Sequence, residues 1–387
     1  MNVKELDQTY IASTYKRFPL EITEGKGSLV KDEQGKEYID LGSGIAVTSF
    51  GMADEAWLKA VCGQAARLQH TSNLYYTDPC AKLAEMLCSR TGMKKVFFSN
   101  SGAEANECAI KTARKYASDK YGENRFTILT LKNSFHGRTI TTLSATGQEH
   151  YHELFRPLTP GFAHADAGDL DAVIAQHEKT PLAAVMIECV QGEGGVIPLD
   201  PAYVKALSEF AEKNDILLIV DEVQTGNGRT GELFAYMHYG VRPDLVSTAK
   251  GLAGGLPLGA TLMGEKTANV LGYGDHGSTF GGNPVCCAAA LSILSRIDEK
   301  LLNEVKEKSR FLFSAFTGAP GIESISGLGL MIGIKTKKAA GEVVAKCMEQ
   351  GVLCLTAKDK VRLLPALNIP MELLEKAAEI IKAVCAE

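Results

Sequence analysis

The sequence predicts an α/β protein with a large domain, built on a mainly parallel sheet flanked by helices, and a smaller α+β domain. Through the middle of the chain, short apolar runs rich in β-formers alternate with helical patterns, as in KKVFFSN, FTILTL, LAAVMIE, PAYVKALSEFAEKN and ILLIVDEV. Such alternation is typical of parallel strands joined by crossover helices. The run ILLIV is apolar at every position, which indicates a strand that is covered on both faces.

The pattern changes near residue 283, where we predict a domain boundary. Residues 51–282 form the expected large domain. Residues 283–387 contain helical segments such as NPVCCAAALSILSRI and end in a further helical pattern, so they form the expected small domain. Residues 1–50 hold the turn-rich hairpin pattern GSLVKDEQGKEYIDLGSG, which is too short to stand alone, and we expect them to join the small domain.

Composition narrows the functional class. The 46 acidic and 41 basic residues give a formal net charge of -5, and neither sign is concentrated, which argues against a dedicated nucleic-acid surface. No run reaches the roughly 18 apolar residues of a membrane span, and the first residues lack the apolar stretch of a signal peptide, so we expect a cytoplasmic protein. The ten cysteines include no C-x-x-C pair, so we expect buried thiols rather than disulfides or a metal site.

Two acidic residues follow the buried strand ILLIV. Asp221 and Glu222 stand at its carboxyl end, where open α/β sheets collect their ligands. A charge there costs desolvation energy unless it meets a cation. Taken alone, a carboxylate that caps a loop is an equally good interpretation.

A lysine occupies the corresponding place after another short strand. Lys250, in STAKGLAGGLPLGA, precedes a glycine-rich turn that is not a P-loop, because no G-K-[ST] follows. Partial desolvation in a cleft would lower the pKa of its amine and free it for Schiff-base chemistry. The alternative is an ordinary solvated lysine, which the flanking strand and glycine-rich turn make less attractive.

The segment FFSNSGAEANECAIKTARKY runs from a strand into a helix. Ser101 and Glu104 fit the S-x-x-E capping box, and the amides of Gly102 and Ala103 would face an anion such as phosphate. An ordinary capped helix is the alternative.

The lysine, the carboxylate and the anion-binding helix start together fit pyridoxal 5'-phosphate. Lys250 would form an aldimine, Asp221 would keep the pyridine nitrogen protonated, and the helix start would hold the phosphate. Phe135, in NSFHGRT, would stack on the ring. The neighbouring His136 is expected to be structural.

Six motifs, NSGAEAN, FHGRT, QGEGG, DEVQTGNGRTG, AKGLAGGLPLGA and GSTFGGNP, occur in the order found in class III aminotransferases, and the chain resembles that family over nearly its whole length. The resemblance implies fold type I of the pyridoxal phosphate enzymes and a homodimer with shared active sites. It makes Lys250 and Asp221 the catalytic pair. The implied cofactor-binding residues, with Thr279 reaching across from the other subunit, are Ser101, Gly102, Ala103, Phe135, Asp221, Glu222, Val223, Gln224, Lys250 and Thr279.

The same resemblance assigns the substrate-binding residues. Arg138 would clamp the substrate carboxylate with its planar fork, although it could instead pair with a structural acid. Ser278 would lie beside the substrate. Glu193 and Arg362 would form a switchable pair that opens for the α-carboxylate of glutamate, and a structural salt bridge is the alternative.

The activity implied is transfer of the 5-amino group of N2-acetylornithine to 2-oxoglutarate, giving N-acetylglutamate 5-semialdehyde and glutamate, as in arginine biosynthesis. Ornithine, 4-aminobutyrate and N-succinyl-diaminopimelate are alternative donors on the same machinery. A nucleotide-binding protein or a catalytically silent relative is a rival from another class. No complete G-x-G-x-x-G opens a helix to support the first, and intact Lys250, Asp221 and Arg138 argue against the second. The GMADEAW segment lacks the Gly-His-x-His-Pro turn common in the family.

Overall fold

The computed structural model describes residues 1–387, which are organised around a seven-stranded sheet. Its strands, in order across the sheet, are Lys95–Ser99, Gly259–Met263, Leu245–Thr248, Leu217–Asp221, Leu182–Ile187, Thr127–Leu131 and Phe162–Ala165. Only Gly259–Met263 runs antiparallel to its neighbours, whereas the other pairs are parallel. The prediction of a mainly parallel sheet is confirmed.

Helices flank this sheet and build much of the remaining chain. Those of eight residues or more are Val3–Tyr10, Glu55–Ala65, Asp78–Thr91, Gly102–Tyr121, Leu170–Lys179, Pro201–Lys213, Pro284–Leu294, Glu299–Phe316, Ala340–Glu349 and Met371–Ala386. Local sequence explains where several begin: Asp200 and Asn283 cap the amides of the helices that open with Pro201 and Pro284. No helix has both the length and the apolar character that crossing a membrane requires.

Two four-stranded sheets lie outside the large one. The first consists of Ile22–Lys26, Leu29–Asp32, Glu37–Asp40 and Val352–Leu353, and the second of Ile322–Leu328, Met331–Thr336, Lys360–Leu363 and Leu355–Ala357. The hairpin expected near the start of the chain is the antiparallel pair Leu29–Asp32 and Glu37–Asp40. Glu37–Asp40 also pairs in parallel with Val352–Leu353, so the two ends of the chain share a sheet.

A continuous apolar core runs through the molecule. It includes Leu218 and Val220 of the large sheet and Ile293 of the helix Pro284–Leu294. Ile332 of a small-sheet strand and Ile381 of the last helix belong to the same core. The strand Leu217–Asp221 is buried at every position, as the apolar run ILLIV predicts.

The large sheet determines where the polar residues meet. The strands Lys95–Ser99, Leu217–Asp221 and Leu245–Thr248 point the same way, so their carboxyl ends lie along one edge. The helix start at Ser101 and the side chain of Lys250 follow two of these strands directly. Open α/β sheets bind their ligands at this edge.

Candidate active site

A cavity of about 540 Å³ opens at this edge of the sheet. Its volume is typical of small-molecule sites, which span roughly 300 to 1,000 Å³. The predicted site residues that line it are Ser101, Gly102, Ala103, Phe135, Arg138, Asp221, Val223, Gln224 and Lys250. The structure therefore brings most of the predicted set together in one place.

Lys250 presents its amine to this cavity. Its backbone has a φ of +43°, a left-handed conformation that is costly for a residue with a side chain and that collects at functional sites. Burial lowers the pKa of the Lys250 amine, while the charges of Glu193 and Asp221 oppose that effect. A desolvated, readily deprotonated amine is the form that nucleophilic chemistry requires.

Three N–H groups hold the Asp221 carboxylate in one orientation. Oδ2 accepts from Nδ2 of Asn106 at 2.8 Å and lies 2.9 Å from Nδ1 of His136. Oδ1 accepts from the amide of Val223 at 3.0 Å. Because a carboxylate has about four acceptor positions, one remains for a further N–H donor from the cavity.

The His136 ring is buried, and its Nε2 has no hydrogen-bond partner. A proton on Nδ1 is the arrangement that satisfies the contact with Asp221.

Ser101 caps the helix Gly102–Tyr121, and its hydroxyl accepts from the amide of Glu104 at 3.2 Å. The second bond of the expected capping box is different, because the Glu104 carboxylate accepts from the amide of Asn100 at 2.8 Å instead of that of Ser101. Asn100 also binds Glu104 through its side chain, at 3.0 Å, which draws the carboxylate one residue back. The first-turn amides of Gly102 and Ala103 have no acceptor within the helix, so they are available to an anion.

The helix start and Val223 approach each other closely. A Cβ atom at Gly102 would lie 2.6 Å from Cγ1 of Val223, so only glycine permits this approach. The cavity thus combines an anion-binding helix start, a free amine, a carboxylate with one open acceptor position, and apolar side chains at Phe135 and Val223. This donor set fits pyridoxal 5'-phosphate, whose phosphate, aldehyde, pyridine nitrogen and flat ring each require one of these groups.

Arg138 is exposed at the mouth of the cavity. Its guanidinium carbon lies 4.9 Å from the ring centre of Tyr151 and 5.8 Å from that of Phe135, rather than against a carboxylate. Its fork is therefore available to a carboxylate from outside the chain.

Glu193 and Arg362 form an ion pair beside the cavity. Oε1 of Glu193 lies 2.5 Å from Nη1 of Arg362, and Gln224 contacts both side chains at 3.3 Å. Burial raises the pKa of Glu193, but the charge and hydrogen bond of Arg362 outweigh it, so the net pKa is lowered. Nε of Arg362 is buried without a partner.

Besides Glu193 and Arg362, the structure places three more predicted residues outside the cavity lining. Glu222 is turned away, because adjacent residues at a strand end point to opposite faces, and its carboxylate binds Thr225 and the amide of Tyr236. Burial raises the pKa of Glu222 to about 7. Ser278 lies at the rim, where its hydroxyl is 3.2 Å from Nδ2 of Asn100. Thr279 is exposed to solvent.

Sequence reasoning missed the partners of the site residues. Asn106, the last residue of NSGAEAN, is the buried polar group that holds Asp221, and a polar residue on the buried face of a helix was the available signal. His136, which the sequence predicts to be structural, contacts Asp221 directly. Glu188 lines the cavity and accepts from the amide of Phe135 at 2.9 Å. Burial, and then the charge of Asp221, raise the pKa of Glu188 well above its usual range.

Comparison with known proteins identifies the family to which the chain belongs. The family model described as aminotransferase class-III matches residues 10–385. The acetylornithine aminotransferase of Haemophilus ducreyi is 52% identical over 387 residues, covering 100% of this chain and 98% of that protein. The succinylornithine transaminase of Citrobacter koseri is 45% identical, covering 94% of this chain and 92% of that protein.

Solved structures agree with the sequence comparison. The ornithine aminotransferase of Toxoplasma gondii, a structure with partial occupancy of pyridoxal phosphate at its active site, has a TM-score of 0.94 and 33% identity, and 99% of this chain and 93% of that chain are covered. The N-acetylornithine aminotransferase of Stenotrophomonas maltophilia has a TM-score of 0.85 and 35% identity, with 99% and 98% covered. The fold is fold type I of the pyridoxal phosphate enzymes. This chain belongs to the class III aminotransferases and is a pyridoxal-phosphate-dependent transaminase.

Proposed function

We propose that this enzyme transfers the 5-amino group of N2-acetylornithine to 2-oxoglutarate, giving N-acetylglutamate 5-semialdehyde and glutamate, as a step of arginine biosynthesis. The observation that carries the proposal is the free amine of Lys250 in the same cavity as the Asp221 carboxylate and the helix start at Ser101. The full-length similarity to acetylornithine aminotransferases supports the choice of donor.

Different residues of the chain would bind the cofactor and transfer the proton. Bound pyridoxal phosphate supplies an electron sink that stabilises negative charge on the substrate carbon next to the nitrogen. The amides of Gly102 and Ala103 and the Ser101 hydroxyl would hold its phosphate, and Asp221 would accept the N–H of its ring. Nζ of Lys250 would then take the proton that leaves the substrate carbon.

Two arginines divide the recognition of carboxylates in this proposal. Arg138, at the mouth of the cavity, would bind the α-carboxylate of the acetylated donor. Arg362 stays paired with Glu193 while that donor is bound, because a 5-amino group brings no carboxylate to this place. When glutamate or 2-oxoglutarate enters, the pair would open and Arg362 would receive the α-carboxylate. One cavity would thereby serve two unlike substrates.

Replacement of Lys250 tests the central role. The Lys250→Ala variant should lose ~100- to 10,000-fold in turnover, the usual contribution of a placed proton-transfer group. Lys300→Ala, which alters an exposed lysine of the helix Glu299–Phe316, is the matched control and should keep wild-type turnover. Full turnover in Lys250→Ala would contradict the mechanism. Loss of the borohydride-sensitive yellow absorbance in the same variant would support it.

A second donor, N2-succinylornithine, is favoured by the 45% identity to a succinylornithine transaminase. An acyl pocket separates homologous groups by only ~1 to 3 kcal/mol, so side activity is expected. Steady-state kcat/KM values for N2-acetylornithine, N2-succinylornithine, ornithine and 4-aminobutyrate, each with 2-oxoglutarate, distinguish these donors. A higher kcat/KM for any donor other than N2-acetylornithine would overturn the assignment.

We also propose that the enzyme is a homodimer in which Thr279 reaches the phosphate site of the partner. Three large apolar side chains on this segment and on the segment after Asn73 are exposed on the single chain: Phe280 is 58% exposed, Tyr76 105% and Tyr273 110%. Nδ2 of Asn73 binds the carbonyl oxygens of Ser278 and Gly281 at 3.0 Å and so joins the segments that carry these side chains. Exposed apolar patches of this kind are typical of interaction surfaces.

Sedimentation tests the dimer. We expect the mass of two chains for the wild type and a monomer with weakened cofactor binding for Phe280→Glu. A wild-type monomer with full activity would contradict the proposal.

We propose a large domain of residues 51–282 and a small domain of residues 283–387 that includes the segment 1–50. The parallel pairing of Glu37–Asp40 with Val352–Leu353 supports the placement of that segment.

A further inference from the structure

Arg138 is held by aromatic rings instead of a carboxylate. Its guanidinium carbon lies 4.9 Å from the centre of the Tyr151 ring and 5.8 Å from the centre of the Phe135 ring. A cation over an aromatic face is attracted by the ring quadrupole, and arginine stacks well because its charge is planar and weakly hydrated. The rings orient the guanidinium without neutralising it, so its hydrogen-bond donors stay free for a ligand.

The Tyr151 ring also supports the side chain that faces the cofactor site. Its edge meets Phe135 with ring centres 5.7 Å apart and planes inclined at 67°. This T-shaped arrangement is a favoured geometry for aromatic pairs. One ring therefore contacts both Phe135 and Arg138.

Residues before and after Tyr151 in the chain make buried hydrogen bonds. Nε2 of Gln148 donates to the carbonyl oxygen of Ser134 at 3.0 Å. Nε2 of His152 lies 2.9 Å from the carbonyl oxygen of Leu143 and 2.7 Å from that of Thr146. Gln148 and His152 are both buried, so the short helical turn Glu149–Tyr151 is anchored at both ends. The backbone that carries the Tyr151 ring is therefore held in place at both ends.

We propose that Tyr151 is a positioning residue that holds Arg138 in the orientation needed to bind the substrate carboxylate and braces Phe135 against the cofactor. The inference rests on the proposed function for the role of Arg138 and extends it to a residue that no motif marks. Tyr151 touches neither substrate nor cofactor in this role and acts through its ring rather than its hydroxyl.

Two substitutions separate the ring from the hydroxyl. Tyr151→Phe keeps the ring, whereas Tyr151→Leu removes it and leaves an apolar side chain. Phe155→Leu, at an aromatic residue four positions on that is 53% exposed, is the matched control. Each variant is assayed with N2-acetylornithine and with N-acetyl-1,4-diaminobutane, which is the same donor without its carboxylate.

The ratio of the two KM values reports on the carboxylate site alone. For Tyr151→Leu we expect the KM for N2-acetylornithine to rise roughly 3- to 10-fold while that for the decarboxylated donor is unchanged, the range that a cation–π contact supplies. Tyr151→Phe and Phe155→Leu should keep the wild-type ratio. Adding Tyr151→Leu to Arg138→Ala should change the ratio no further, because the two residues act as one unit.

Cofactor affinity gives a readout that does not depend on turnover. The dissociation constant of pyridoxal phosphate, measured from its visible absorbance, should rise in Tyr151→Leu and stay at the wild-type value in Tyr151→Phe. Equal KM changes for both donors, or a Phe variant as impaired as the Leu variant, would overturn the inference. If the wild type used no amine with 2-oxoglutarate, the proposed function would fail, and the cofactor measurement would still decide whether Tyr151 braces Phe135.

Discussion

Removing the charge of Glu193 is the sharpest test of how one cavity accepts two substrates. Glu193 and Arg362 are 2.5 Å apart, and the arginine side chain is only 4% exposed. A hydrogen bond to a charged group contributes ~1.5 to 3 kcal/mol. Glu193→Gln keeps a neutral acceptor for Arg362, so we expect the closed pair to become ~1 to 2 kcal/mol less stable relative to the open state. This corresponds to a ~5- to 30-fold change in the equilibrium constant for opening.

The direction of the effect follows from the opening step. If the pair must open before Arg362 binds an α-carboxylate, weakening it raises the fraction of enzyme that is ready to bind. The KM for glutamate should then fall ~5- to 30-fold in Glu193→Gln, and the KM for N2-acetylornithine should not fall. Each half-reaction is measured separately in single-turnover experiments that follow the visible absorbance of the cofactor.

An exposed ion pair nearby provides the control. Asp359→Asn breaks the contact between Lys335 and Asp359, which lies at the surface and should contribute only ~0 to 1 kcal/mol. This variant should leave both KM values unchanged. A KM for glutamate that stays at the wild-type value, or rises, in Glu193→Gln would refute the opening step and favour a purely structural salt bridge.

Three further changes have expected outcomes. Gly102→Ala places a Cβ 2.6 Å from Val223, and overpacking of ~1 to 3 kcal/mol should weaken cofactor binding about tenfold or more; unchanged affinity would contradict the close fit. Asn106→Ala removes a 2.8 Å hydrogen bond to Asp221 and should weaken cofactor binding ~10- to 100-fold, as measured by visible absorbance, whereas an unchanged dissociation constant would show that the bond is dispensable. Burial raises the pKa of Glu222 from 4.5 to about 7, so the unfolded chain releases this proton first as the pH rises, and Glu222 by itself should lower the stability of the wild type by about 3 kcal/mol between those pH values. In denaturant unfolding of the apo proteins, the loss of stability with rising pH should be smaller in Glu222→Gln by about this amount, and equal losses in both proteins would contradict the raised pKa of Glu222.

Local sequence patterns were sufficient to predict the central strands and the polar residues that follow them. The apolar run ILLIV predicted a strand buried on both faces, and the structure has Leu217–Asp221 buried throughout. Asp221 and Lys250 were found by their position after such strands, because parallel strands present their carboxyl ends along one edge. Both line the same cavity.

The contacts between distant segments could not be read in this way. The pairing of Glu37–Asp40 with Val352–Leu353 joins parts of the chain more than 300 residues apart, and the antiparallel direction of Gly259–Met263 is set by its neighbours in the sheet. Glu222 points away from the cavity although it is next to Asp221. This orientation likewise depends on the hydroxyl of Thr225 and the amide of Tyr236, which donate hydrogen bonds to its carboxylate.

The sequence by itself determined the fold class and the family resemblance, and it predicted Asp221 and Lys250 as site residues, because burial and strand ends leave periodic and positional marks along the chain. Only the tertiary structure decided that Asn106 and His136 hold Asp221 and that Tyr151 holds Arg138. A side chain that orients another residue is chosen by three-dimensional proximity, and proximity between segments that are distant in sequence has no local signature.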